Sequence, residues 1–307
     1  MLSRLPTILL LSILPFSSGH TSELQQMWEQ SVIERLKTPG ADIAAELQKI
    51  YEYSKGERLT APTAERIKNS QELFSKILEG KEVLFNKELL DSLGMSALET
   101  NDYIILYEVA EYKRGVGFYV FCKACPPELF LQAPHGFDDR FTSELAFDLL
   151  VRGGIKAVAL NNTPNSERNL GEPVDLTLIG ASIYNALNRV IASLYPRSKV
   201  VQLHGFNEKT RSTEAAQKTD FIVSNGTTRP DKRMVIVAQC LDAIAAGRSK
   251  VFPVQINELG ALDNEQGKLM RAMGHEGFLN LDISMEMRKK FMGDPAFRPE
   301  LWKCIRK

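Results

Sequence analysis

From Asn101 onward the chain alternates short apolar runs with stretches of helical period, and few folds accept that alternation. Tyr103 to Val109, Gly117 to Phe121 and Leu129 to Leu131 read as strands, the first two joined by a charged turn around Lys113-Arg114-Gly115. Lys156 to Leu160, Lys199 to Leu203, Asp220 to Val223, Val251 to Ile256 and Phe278 to Ile283 continue the strands. Helices are expected from about Asp175 to Leu194 and near Met234 to Ala246. Strands and helices in turn predict an α/β domain over residues 101–307, with a mixed, largely parallel sheet covered by helices on both faces. Open sheets of this kind gather their active sites at the carboxyl ends of strands.

The first third reads differently. Leu24, Met27, Trp28 and Val32 recur at helical spacing, as do Ile43, Leu47, Ile50 and Tyr51, and then Leu73, Ile77 and Leu78. A helical segment over residues 20–100 is expected, with no cluster of convergent polar groups to give it chemistry. Residues 1–19 hold Arg4, an apolar run from Ile8 to Phe16 and the small residues Ser17, Ser18 and Gly19, the three zones of a secretory signal. Its apolar part is too short to span a bilayer, and cleavage after Gly19 would leave His20 at the mature N-terminus, where no role is assigned to it. A secreted or periplasmic protein without a membrane span is therefore expected. In such an oxidising compartment the four cysteines, Cys122 and Cys125 in a C-x-x-C with Cys240 and Cys304 far apart, favour one or two structural disulfides whose pairing stays open. Basic and acidic residues balance at 38 each, so the charge gives no reason to expect a nucleic-acid partner.

Two of the four histidines occur in the same context, His135-Gly136 and His204-Gly205, each shortly after an apolar run. Both imidazoles are thus expected at strand ends. Asp138 and Asp139 follow the first histidine by three and four residues. Two neutral imidazoles and one carboxylate, with a fourth position open, make the usual catalytic zinc site.

The segment Pro134-His135-Gly136, then an acid, then Thr142-Ser143-Glu144-Leu145-Ala146 resembles the first metal motif of the phage-type poly-γ-glutamate hydrolases, which belong with the carboxypeptidase A-type zinc peptidases. Val200-Val201-Gln202-Leu203-His204-Gly205 resembles the strand that carries that family's second metal histidine. Gly277 to Arg288 resembles its last strand, with Asp282 at the position of the general-base carboxylate, then Ser284, and Met287-Arg288 where the family has Leu-Arg. The resemblance spans Pro134 to Arg288 and implies a zinc carboxypeptidase-like fold, Zn2+ as cofactor, His135, Asp139 and His204 as metal ligands, and Asp282 as base. Aspartate stands where the family has glutamate, both at Asp139 and at Asp282. Counting back from Thr142 selects Asp139 as ligand, whereas the His-x-x-Glu spacing of the wider peptidase group selects Asp138; the Thr-Ser-Glu-Leu-Ala register favours Asp139.

A cation is wanted to hold a substrate carboxylate or an oxyanion. The polar loop from Asn161 to Asn169 lies between the two metal motifs, and Arg168 resembles the substrate-contacting arginine of carboxypeptidase-type relatives. Asp175 reads as a helix cap, and His275, beside Glu276, as a surface residue. The expected function is metal-dependent hydrolysis of an amide bond in a peptide or amide-linked substrate. An N-acyl amino acid deacylase, suggested by the Asp138 spacing, and a non-catalytic binding module that keeps the fold are the alternatives.

Overall fold

The computed structural model describes residues 18–307 except 57–58, 82–86, 110–112, 165–167, 170–171 and 174, and gives the backbone alone for 18–22, 168–169 and 172–173. The expected signal segment therefore lies outside the described residues, apart from the start of the first helix. In chain order the elements are α1 (Ser18–Lys37), α2 (Ile43–Tyr53), α3 (Ala64–Leu78), α4 (Lys87–Leu93), β1 (Met95–Glu99), β2 (Tyr103–Glu108), β3 (Phe118–Cys122), β4 (Leu129–Ala133), α5 (Thr142–Val151) and β5 (Ala157–Leu160). The short ribbon β6 (Arg168–Asn169) and β7 (Glu172–Pro173) precedes α6 (Ile183–Leu194) and β8 (Lys199–Phe206). Then come α7 (Glu214–Gln217), β9 (Phe221–Ser224), α8 (Lys232–Ala245), β10 (Ser249–Val251), α9 (Glu265–Ala272), β11 (Phe278–Ser284), α10 (Met285–Gly293) and α11 (Arg298–Ile305).

Nine strands form one mixed sheet in the order β1-β2-β3-β5-β4-β8-β11-β9-β10. The expectation of a largely parallel sheet needs correction. The pairings β5-β4, β4-β8, β8-β11 and β9-β10 are parallel, but β1-β2, β2-β3, β3-β5 and β9-β11 are antiparallel. The physical reason is connection length: β1, β2 and β3 follow one another through links too short for a crossover helix, so each must reverse direction. The parallel block sits at the centre, where it needs cover on both faces.

That cover explains the helical first third. Strand residues alternate between two cores: on β2, Ile105 and Tyr107 join the first core while Ile104 and Leu106 join the second. The first core is closed by α1, α2, α5, α8, α10 and α11, the second by α3, α4, α6 and α9. Val32, Leu47, Ile50 and Tyr51 are thus in one core with the sheet, and residue 100 marks no break in it. Met95–Glu99, inside the segment expected to be helical, is an edge strand. Two other boundaries move as well. The helix expected from Asp175 is a single 3-10 turn (Leu176–Leu178) before α6, because Ser182 caps a new start by accepting the Asn185 N–H. The strand expected over Val251 to Ile256 is Ser249–Val251, since Pro253 has no N–H to continue a ladder.

All four cysteines are paired, Cys122 with Cys125 and Cys240 with Cys304. No helix among the described residues is long and apolar enough to cross a membrane.

Candidate metal centre

The parallel block brings the second His-Gly strand beside the strand of the expected base. On β8, Val201 and Leu203 enter the first core, so Gln202 and His204 face the other side. On β11, Leu279, Leu281 and Ile283 do the same, which turns Asn280 and Asp282 to that other side. Asp282 is paired directly with His204 across the ladder. His135 arrives from the end of β4, the neighbour of β8 on its other edge. From there the chain folds into a tight turn in which the Asp138 and Asp139 N–H groups both donate to the His135 carbonyl. The Thr142 hydroxyl, in the first turn of α5, donates back to the Asp139 carbonyl at 2.7 Å.

This turn throws the Asp139 side chain back toward both imidazoles. Asp139 Oδ2 lies 3.4 Å from His135 Nδ1 and 3.7 Å from His204 Nδ1, and one ligand atom from each of the three residues falls within 4.8 Å of the others. A tetrahedral ion with bonds of roughly 2.0–2.2 Å spaces its ligand atoms roughly 3.3–3.6 Å apart, which the two distances from Asp139 approach, and two imidazoles with a carboxylate are a donor set that suits zinc. Asp139, not Asp138, belongs to this group. The Gly205 N–H donates to Asp139 Oδ2 at 2.8 Å and holds the carboxylate in place.

Each imidazole has its far nitrogen engaged. His135 Nε2 donates to Asp175 Oδ1 at 2.9 Å, while Asp175 also accepts from the Thr177 N–H and hydroxyl. Asp175 therefore caps the 3-10 turn, as expected, and also orients the His135 ring, a role that its cap signal conceals. His204 Nε2 lies 3.3 Å from Gln202 Oε1.

The glycines of both His-Gly dipeptides are explained by close approach. A Cβ on Gly136 would stand 2.5 Å from the Tyr51 hydroxyl, and one on Gly205 would stand 2.3 Å from the Arg288 guanidinium carbon. Neither neighbour can withdraw. Tyr51, brought in by α2, is fully buried, donates to the Asn161 carbonyl at 2.6 Å and stacks on Phe137. Arg288, also buried, donates to the carbonyls of Ile283, Phe206 and Arg140, tying β11, β8 and the His135 turn together. Gly205→Ala should therefore destabilise the protein by about 1–3 kcal/mol through overpacking, read as a lowered denaturation midpoint. An unchanged midpoint would mean that Arg288 moves freely.

At the two imidazoles opens a cavity of about 290 Å³ lined by His135, His204, Asn280 and Asp282, with Leu178 and Leu262 also in its wall. Asp282 is 5 % exposed, and its Oδ2 accepts from the Asn280 amide at 2.6 Å. Burial first, and the charge of Asp139 second, push its carboxyl up to about 8. A carboxyl poised near neutrality can both take and return a proton. Burial disfavours a charged His135, yet the adjoining carboxylates of Asp139 and Asp175 outweigh it and hold the ring at about 10. His204, buried and next to His135, falls to about 4. Burial also opposes ionisation of Asp139 and Asp175, but the bonds to His135 prevail and both are held below the usual carboxylate range.

Two of the remaining expectations fall elsewhere. His275 is fully buried instead of surface-exposed: its Nε2 lies 3.1 Å from the Ser198 hydroxyl and its Nδ1 accepts the Gly277 N–H, so it pins the start of β11. Arg168 has its backbone in the β6-β7 ribbon that leads toward Asp175, while its side chain lies outside the described residues.

No family model matches the chain, and no curated protein matches it. Solved structures do. A bacteriophage poly-γ-glutamate hydrolase is similar at 15% identity and a TM-score of 0.36, over 59% of this chain and 83% of its own. A zinc-free form of YndL is similar at 14% identity and a TM-score of 0.37, over 62% of this chain and 90% of its own. An aspartoacylase family protein from Mesorhizobium loti shows 12% identity and a TM-score of 0.38, over 69% of this chain and 66% of its own.

Proposed function

We propose that this protein is an exported zinc-dependent hydrolase that cleaves an amide bond, peptide or isopeptide, of the kind found in cell-wall peptides or γ-linked glutamyl polymers. The observation that carries the reading is the approach of Asp139 Oδ2 to within 3.4 Å of His135 Nδ1 and 3.7 Å of His204 Nδ1, beside a cavity that both imidazoles line together with Asp282. A zinc ion held by these residues would polarise the scissile carbonyl and lower the pKa of water toward about 7.

The chain's own groups do the rest. Asp282 accepts the proton of the attacking water and returns it to the departing amine as the C–N bond breaks, leaving a carboxylate and a free amine. Asn280, donating to Asp282 Oδ2, orients the carboxylate. Asp175 holds His135 with its Nδ1 turned to the centre, where a bound cation would displace the proton that nitrogen otherwise carries. Arg168 is assigned to the carboxylate or oxyanion of the substrate, on the strength of its place in the loop between the two metal motifs. The second reading is an N-acyl amino acid deacylase, and substrate range, peptide against N-acyl amino acid, separates the two. Export is supported by the pairing of all four cysteines, as an oxidising compartment permits.

The test is a pair of alanine variants with zinc affinity as the readout. Asp139→Ala should weaken zinc binding far more than Asp138→Ala. Equal losses, or a greater loss in Asp138→Ala, would mean that the wider peptidase spacing applies and that the ligand assignment is off by one residue.

A further inference from the structure

Beneath the metal centre, between the sheet and helices α6 and α9, runs a ladder of buried side-chain amides. Gln132 on β4, Gln202 on β8, Asn188 on α6 and Gln266 on α9 are each at most 1 % exposed. Gln202 Nε2 donates to Gln132 Oε1 at 2.9 Å and to Gln266 Oε1 at 3.3 Å. Gln202 Oε1 accepts from Asn264 Nδ2 at 2.8 Å and lies 3.3 Å from His204 Nε2.

An amide can be turned end for end, so what matters is whether anything fixes the direction of the ladder. Three anchors to the backbone do. At α6, Asn185 Nδ2 donates to the Ile179 and Gly180 carbonyls, which leaves Asn185 Oδ1 to accept from Asn188 Nδ2. Asn188 Oδ1 then accepts from Gln132 Nε2, and Gln132 Oε1 from Gln202. At the 3-10 turn, Gln266 Nε2 donates to the Leu176 carbonyl, so its Oε1 must accept. At α9, Asn264 Oδ1 accepts the Gly267 N–H, so its Nδ2 must donate. Each anchor independently places the carbonyl oxygen of Gln202 against His204.

We infer that Gln202 is a positioning residue: through this ladder it fixes His204 as the Nε2–H tautomer and so keeps the Nδ1 lone pair free for the metal. The inference rests on the proposed metal site for its purpose, though the tautomer itself does not depend on it. The ladder has something to oppose. Asp139 Oδ2 lies 3.7 Å from His204 Nδ1 and would attract a proton there, which would block that nitrogen as a ligand. Accepting that tautomer would require Gln202 to turn over, setting its N–H groups against those of Asn264 in a dry interior.

The test is a long-range proton–nitrogen correlation of the imidazoles in the 15N-labelled, metal-free protein, with His204→Gln used to assign the ring among four histidines. His204 should show an unprotonated Nδ1 and a protonated Nε2. Gln202→Leu should mix the tautomers and weaken zinc binding roughly 10–100-fold, while Gln202→Glu, which restores an acceptor, should recover the Nε2–H form. A proton on Nδ1 in the parent protein overturns the inference, as does a Gln202→Leu protein with unaltered tautomer and zinc affinity. Should Gln202→Leu fail to fold, the parent spectrum alone decides. A parent protein that takes up no zinc would remove the metal reading, yet its tautomer would still confirm or refute the ladder.

Discussion

The His204→Ala protein is expected to be isolated without zinc, whereas the parent carries about one ion per chain, measured by elemental analysis after dialysis against a weak chelator. A site of three protein ligands would leave little redundancy. His204 is held between Gln202 on one side and the Asp139 carboxylate on the other, and it supplies one of only two imidazoles in the converging group. Its loss should cost well more than the roughly 10–100-fold that follows removal of an outer partner such as Asp175. The protein should still fold, because His204 sits at the cavity floor while Leu203 and Val201, on the opposite face of the same strand, carry the packing. Equal zinc in the two proteins would exclude His204 as a ligand.

Asp282→Asn should keep both zinc and fold and lower amide turnover by roughly 10²–10⁴, the usual cost of losing a general base. The amide preserves the shape of the side chain and can still pair with Asn280, but it cannot accept a proton at neutral pH. Asp282→Glu adds one methylene in a cavity of about 290 Å³ that can accommodate it, so it should retain measurable activity. If Asp282→Asn releases zinc, Asp282 is a ligand instead, and if it unfolds the protein, the carboxyl is structural.

Much of the centre was legible before any coordinates because its signals are local. A histidine followed by glycine at the end of an apolar run needs only strand periodicity to place it, and the Thr142 register pointed to Asp139, the acid that lies beside the two imidazoles. The glycines themselves were legible as a pattern but not as a cause, since Tyr51 and Arg288 lie far from them in sequence. Asp175 was read as a cap and is one, yet nothing in a capping signal reports the imidazole 40 residues earlier. The Gln202 ladder was invisible for a related reason: isolated amides acquire meaning only when β4, β8, α6 and α9 are known to be neighbours. The share of antiparallel pairing was missed because periodicity identifies strands and does not reveal their partners, and the strand Met95–Glu99 because five residues are too few to set a period of their own. His275 was misjudged because adjacent Glu276 and the flanking glycines imply a surface turn, while the ring folds under it.

An anomalous-difference map recorded on both sides of the zinc edge, from crystals grown with the metal, tests the centre most directly. One peak is expected at roughly 2.0–2.2 Å from His135 Nδ1, His204 Nδ1 and an Asp139 carboxylate oxygen, with Asp282 facing it and not bonded to it. A zinc-replete crystal with no peak among these three residues, or with the ion held through an Nε2 nitrogen or by Asp138, would contradict the assignment.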